Sequence, residues 1–455
     1  MQEPSQENKF QTLIIMVLHA VTGYVSIQSS LFCMIWGVSI LAVGLYFILK
    51  NNNANNEAAL FAAYWVGMEI LLRMNKGSLT YESGKYGVII LLIVGLIAED
   101  RPFRFPRQFL VFFLLLLPAL TVIEFENIAR ARKDVLFNLS GPLSLVASAV
   151  YFYKRDMTED QLNKLFLYFV MPIFALAVVL FFKTPDLSEV TFTLNSNRKL
   201  SGGFGANQVS TVLGLGIFIV GLSLFSGYRM SGFRAVDIGL IALFSIRGLL
   251  TFSRGGIITA IGALFVAIFI FAVQANNSQL IKRLFVTGVF VALAGILVFN
   301  YTNELTGGFL KRRYTNESSV KGKKRDFTTG RLRILITELE AFGEYPVLGA
   351  GVGMGKYYRI KQGKKALASH TEFSRLLAEH GLYGLLALVI LLLSPLIYYL
   401  QTNNLSKPLV AAFTILCFLT MTHGAMRLAM PGFLYGLIFI HLLPKKDDSL
   451  HREQT

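Results

Sequence analysis

Apolar runs that approach the roughly 20 residues needed to cross a hydrocarbon core recur along most of this chain, separated by short polar segments. Such runs must satisfy their backbone groups internally, so each one predicts a helix. Candidate spans fall at about 10–27, 28–49, 57–74, 86–98, 107–125, 135–153, 163–182, 207–227, 235–250, 256–274, 283–300, 371–400, 408–423 and 432–443. The pattern predicts an all-α, polytopic integral membrane protein with about 12–14 transmembrane helices. One interval breaks the rhythm. The chain divides into membrane helices with short loops over 1–300, a long polar loop over 301–370, and final membrane helices with a tail over 371–455.

Composition agrees with the pattern: 54% of residues are hydrophobic and only 15% charged, with a mean hydropathy of +0.56. An ordinary soluble domain is excluded. Cys33 and Cys417 both lie inside apolar runs, which suggests neither a disulfide framework nor a cysteine metal site. The polar start and the directly consecutive apolar segments do not have the form of a cleaved signal.

The net charge of +16 sits in the loops between spans and comes without any nucleic-acid signature, so membrane lipid rather than nucleic acid is the expected anionic partner. With the N-terminus inside, the loops at Asn51, Arg101–Arg107, Lys154–Lys164, Arg229–Arg234 and Lys282–Arg283 and the tail with Lys445 and Lys446 are cytoplasmic and basic, as expected. The same parity puts Lys183–Ala206, Ser253–Gly255, Tyr301–His370 and His423–Pro431 on the outer face. Their cations defy the orienting rule. The loop 301–370 alone holds fourteen Lys or Arg against six Asp or Glu, including KGKKR at 321–325, which reads as a lysine-rich solvated tip. Cations that do not orient a protein are free to bind something.

Four outer motifs carry candidate chemistry. In SNRKLSGGFGANQVS, Arg198 precedes a glycine turn that opens a helix, with Asn207 in the first turn, an arrangement suited to phosphate. In TFSRGG, Arg254 sits between two spans at the membrane boundary, where an ionisable group is costly and its planar donor fork suits a diphosphate. GRLRILITELEAF forms an amphipathic helix with Arg331 and Arg333 in its first turn, against the helix dipole, which an anion bound there would explain. The following GAGVGMGK matches neither glycine-rich phosphate pattern and reads as a flexible, close-packed turn. In ASHTEFSRLLAEHGLYGLL, Ser369 and Glu372 form a capping-box pattern, placing His370 in the first turn of a membrane helix where it faces water. His370 is the leading catalytic candidate. Glu372 is a secondary acid–base candidate, His380 and His423 read as structural, and Arg427 could line an acceptor entrance.

SRGG, GRLRI through PVLGAGVG, and SHTEFSRLLAEHGLYGLL resemble the signature region of the O-antigen ligase and polymerase superfamily, the WaaL-type and Wzy-type membrane glycosyltransferases. The earlier GGFGANQVS is similar to the loop those proteins carry before a middle span, so the resemblance covers about residues 195–440. It implies an all-helical fold, a glycan donor on undecaprenyl diphosphate, outer-face arginines that hold the diphosphate, and a loop histidine that activates the acceptor. Carried over, Arg254 takes the diphosphate role, Arg198 or Arg331 a second arginine role, and His370 the base role. Members often follow that histidine with Asn or Ser, where this chain has Thr371.

The expected reaction is glycosyl transfer in cell-surface polysaccharide assembly, of the ligase type, at the periplasmic face of the bacterial inner membrane. A polymerase is the alternative, and a lipid-linked glycan transporter a further one. The acceptor is lipid A-core or a second lipid-linked glycan, and a protein hydroxyl is also open. The outer segments contain no DxD and no ligand-spaced acidic cluster, so metal-independent, inverting displacement without cofactor is expected.

Overall fold

The computed structural model describes residues 6–100, 105–123, 128–186, 192, 196–275, 278–315, 317, 330–364 and 367–444. Arg101, the KGKKR tip at 321–325, Lys445 and Lys446 lie outside the described residues.

The described chain is a helical bundle. Its first half contains α1 (Gln6–Gln28), α2 (Ser30–Lys50), α3 (Glu57–Met74), α4 (Ser83–Ala98), α5 (Arg107–Leu114), α6 (Ile128–Phe152), α7 (Glu159–Lys183) and α8 (Ala206–Phe225). Then follow α9 (Arg234–Leu250), α10 (Gly255–Ala275), α11 (Ser278–Leu305), the short α12 (Phe309–Tyr314), α13 (Arg331–Glu344), α14 (Gly355–Lys361), α15 (Glu372–Gln401), α16 (Lys407–His423) and α17 (Met430–Leu437). Among the described residues, seven helices are long and apolar enough to cross a membrane, and three shorter apolar segments accompany them. The all-α polytopic membrane architecture holds.

Individual spans differ from expectation for local reasons. The expected span at 107–125 breaks after Leu114 into a turn and a short 3-10 segment at Pro118–Leu120, where proline removes a backbone donor. The expected span at 432–443 is only the eight-residue α17, followed by His441–Leu442, which pairs in parallel with Asp156–Met157. α3 does cross the bundle, and all of its residues are buried even though it carries Glu69 and Arg73. It packs against α2, α4, α7 and α8, so it is the central post and not a lipid-facing span.

Between apolar helices in lipid, close backbone approach replaces the hydrophobic drive. The SRGG pair shows this directly: a Cβ on Gly256 would lie 2.0 Å from the Ser210 carbonyl oxygen, so α10 presses backbone to backbone on α8. This contact fixes the residue just before α10, Arg254.

The four segments expected on the outer face meet at one end of the bundle. The Asn197 N–H donates to the Thr251 carbonyl at 3.0 Å, and Asn207 Nδ2 donates to the His423 carbonyl at 2.6 Å. Arg313 Nε donates to the Phe252 carbonyl at 3.2 Å, and Arg427 Nη2 donates to the Ala368 carbonyl at 3.0 Å. The opposite end is closed by the buried pair Arg155–Glu99 at 2.7 Å.

Candidate functional site

His370 is placed by a break in its own helix. Gly381, inside α15, has φ +58 and ψ −135, and the chain 346–351 fills the gap. The Leu382 N–H donates to the Pro346 carbonyl at 2.7 Å, and the Ala350 N–H donates to the Ala378 carbonyl at 2.8 Å. A Cβ on Gly349 would meet the Glu379 carbonyl carbon at 2.3 Å. The glycine-rich stretch is therefore a docked strap and not a flexible turn. It fixes the short first segment of α15, against which α13 also packs.

The capping-box expectation is corrected. The N-cap of α15 is Thr371, with no side-chain cap bond, and Ser369 Oγ donates to the Thr371 carbonyl at 2.8 Å. Glu372 is buried, so its carboxylate goes where a cation is: it pairs with Arg375 and accepts the Met426 N–H at 3.2 Å. His370 accordingly lies just before the helix and is half-buried, whereas the sequence pattern predicts it facing water in the first turn. Its Nδ1 is buried and meets no hydrogen-bond partner among the described residues.

Burial lowers the His370 pKa to about 4, and the charges of Arg427 and Arg331 push the same way, with the His423 backbone partly offsetting them. The ring is neutral at pH 7, the state a proton acceptor requires. Burial also lowers Arg331, and after burial the causes are the cations Arg254 and Arg427. Arg254 is half-buried and lowered by burial. Arg331 thus feels both Arg254 and Arg427, and the imidazole of His370 feels Arg427 and Arg331. That arrangement is costly in an empty site and becomes favourable around an anion.

The other expected residues are distributed differently. Asn207 lies under the cluster: besides holding the His423 carbonyl, its Oδ1 accepts from Ser253 Oγ at 3.1 Å, tying α8 to the loop of Arg254. Arg198 is exposed and folds back to donate from Nε to the Gly203 carbonyl at 2.7 Å. Arg333 is exposed at the start of α13. His423 is held by Thr211 Oγ1 at 3.2 Å and the Leu419 carbonyl at 2.8 Å, and His380 by the Leu116 carbonyl at 3.0 Å, in line with structural roles.

Ser369 and Arg427 also line a cavity of about 1210 Å³, bounded by Tyr81, Glu82, Asp134 and Arg359. Its charges are mostly paired. Asp134 accepts from Lys356 at 2.6 Å and from the Tyr357 hydroxyl at 2.8 Å, while Arg359 pairs with Glu338 at 3.0 Å. Among the described residues no cluster of His, Cys, Asp and Glu could hold a metal.

Sequence reasoning left Glu69, Arg73, Glu82 and Asp134 unread because they lie in the first half of the chain, which was read only for hydropathy. An acid and a base four residues apart inside an apolar run, as in GMEILLRM, was the available signal.

These features define a polytopic membrane protein with a cation-lined polar site at one end of the bundle. Residues 239–389 match the family model described as O-antigen ligase, in agreement with the resemblance carried by the motifs. The match contains Arg254, Arg331, Arg333, His370 and Glu372, and leaves Arg198, Asn207 and Arg427 outside it. No curated protein matches the chain in a sequence search.

Proposed function

We propose that the protein moves a glycan from undecaprenyl diphosphate to an acceptor hydroxyl, as an O-antigen ligase, at the periplasmic face of a bacterial inner membrane. The observation that carries this reading is the neutral imidazole of His370 beside Arg427 and Arg331, with Arg254 in turn beside Arg331. His370 takes the proton of the acceptor hydroxyl, whose oxygen attacks the anomeric carbon as its bond to the diphosphate oxygen breaks. The leaving diphosphate carries the electron pair, and Arg254 and Arg331 stabilise its charge. One displacement inverts the anomeric configuration and asks for no metal.

Charge separates the two substrates. The crowded guanidinium groups suit the diphosphate of the donor, whereas the paired charges of the large cavity suit a polyhydroxylated acceptor. Arg198 and Arg333 are a periphery for lipid headgroup or donor phosphate. A transporter would set its charges along a path through several spans, and clustering at one end favours an enzyme.

The test is transfer of a labelled glycan from undecaprenyl diphosphate by the purified protein in EDTA, offering lipid A-core and a second lipid-linked glycan separately. Transfer by wild type that is lost in His370→Ala and Arg254→Ala supports the mechanism, and the productive acceptor decides ligase from polymerase. Full activity in His370→Ala removes the histidine base.

A further inference from the structure

The loop between α16 and α17, residues 424–429, carries Arg427 and has no regular structure. Its backbone is nevertheless tied at three successive places to charged side chains. The Met426 N–H donates to Glu372 of α15 at 3.2 Å, the Arg427 carbonyl accepts from Arg73 Nη1 at 3.2 Å, and the Ala429 N–H donates to Glu69 Oε2 at 2.8 Å. Glu69 and Arg73 pair with each other at 2.6 Å on α3, both side chains almost fully buried. The guanidinium also lies 4.4 Å over the Tyr81 ring.

A buried ion pair in a membrane bundle is costly, and an apolar pair would pack the post at least as well. What an apolar pair could not do is hydrogen-bond the Arg427 carbonyl and the Ala429 N–H, the backbone that follows the Arg427 side chain. Arg427 in turn uses Nη2 to hold the carbonyls of Ala368 and Ser369, the residues immediately before His370. A chain of direct contacts therefore runs from α3 through the loop to the segment that presents the imidazole.

We infer that Glu69 and Arg73 are positioning residues for catalysis: they fix the 424–429 loop so that Arg427 holds the His370 segment in register with the cation cluster. They touch neither substrate. This inference rests on the proposed base role of His370, and it lies outside the residues that match the family model.

The experiment is a double-mutant cycle on the full-length protein, with Arg73→Lys and Arg427→Ala singly and together. Lysine keeps the buried pairing with Glu69 but cannot also reach the Arg427 carbonyl, since it lacks the planar fork. Arg73→Lys is expected to lower kcat by about 10- to 100-fold, as small misplacements of reacting groups do, with the donor KM changed less than about twofold. In the Arg427→Ala background the same substitution is expected to cost nothing more, because its effect passes through Arg427. Full activity of Arg73→Lys while His370→Ala is dead overturns the inference, and so does an undiminished loss in the Arg427→Ala background. If Arg73→Lys does not fold, Glu69→Gln is carried through the same cycle and judged by the same outcomes. If wild type transfers to no acceptor, the proposed function fails, and hydrogen exchange decides the anchoring separately. Faster exchange confined to the amides of 424–429 in Arg73→Lys supports it, and unchanged exchange there overturns it.

Discussion

Removing the charge of Arg427 while keeping a donor for the carbonyls of Ala368 and Ser369, as Arg427→Gln does, should raise the pKa of His370 without dismantling its segment. In the wild type the shift from 6.5 to about 4 has burial as its largest cause, then Arg427, then Arg331. At about 1.36 kcal/mol per unit, charging the ring costs about 3 kcal/mol more than in water, before solvent screening at a half-buried group. A like charge nearby accounts for about one unit of such a shift. Arg427→Gln should therefore move the midpoint from about 4 to about 5, and adding Arg331→Gln should raise it further, while burial keeps it below 6.5. Hydrogen–deuterium exchange at the ring carbon, read by mass spectrometry across pH, follows each histidine separately and needs no substrate. The sign extends to catalysis. A neutral base is present above its pKa, so kcat/KM should stay flat down to about pH 5 and fall below it. Bound diphosphate offsets the arginines, so the acid limb of kcat should lie at higher pH than that of kcat/KM. A wild-type midpoint near 6.5, or one unmoved by both substitutions, refutes the account of this site.

Three further outcomes are expected. Arg254→Ala should abolish transfer and weaken donor binding, read by direct titration, by about 10- to 100-fold, the scale of a lost charge-assisted hydrogen bond. Asp134→Ala, which frees Lys356 and Tyr357 in the large cavity, should raise acceptor KM and not donor KM. Gly256→Ala should cost about 1–3 kcal/mol or more by overpacking α10 on α8, visible as a lower melting temperature and a loss of monodisperse protein.

The membrane class was legible because hydrocarbon imposes one requirement on every span, and length with apolarity reports it. Span 432–443 was misread because apolarity does not reveal that the loop before it sinks into the bundle. Ala429 reaches Glu69, which lies about 7.5 Å of helix below the end of α3, so only α17 remains to be built. The site was half legible. Arg254, Arg331 and His370 carry charge or titratable rings in places where helix stability gives no reason for them, and they come together. Arg198 has the same signature but spends its Nε on a local carbonyl, a choice that turn geometry makes and spacing cannot disclose. Glu372 matched a capping box by spacing alone. Burial overrode the pattern, since a buried carboxylate gains more from Arg375 than from an amide donor at a helix end.

The contrast between the two sides of the His370 segment bears on why a membrane enzyme would be built this way. Arg331 is lowered first by burial and then by the cations Arg254 and Arg427, whereas the Arg359 beside the cavity is matched by Glu338 and the Asp134 by Lys356. Cations that face one another disfavour the empty site, so in the proposed mechanism the diphosphate of the donor would offset their repulsion as it binds. The cavity, where most charges are paired, presents donors and acceptors that suit a neutral glycan. His370 directly follows Ser369 of the cavity lining, and its ring is held neutral by burial and by the charges of Arg427 and Arg331. In the proposed mechanism the base is therefore weakest before the donor binds and strengthens once bound diphosphate offsets Arg427 and Arg331.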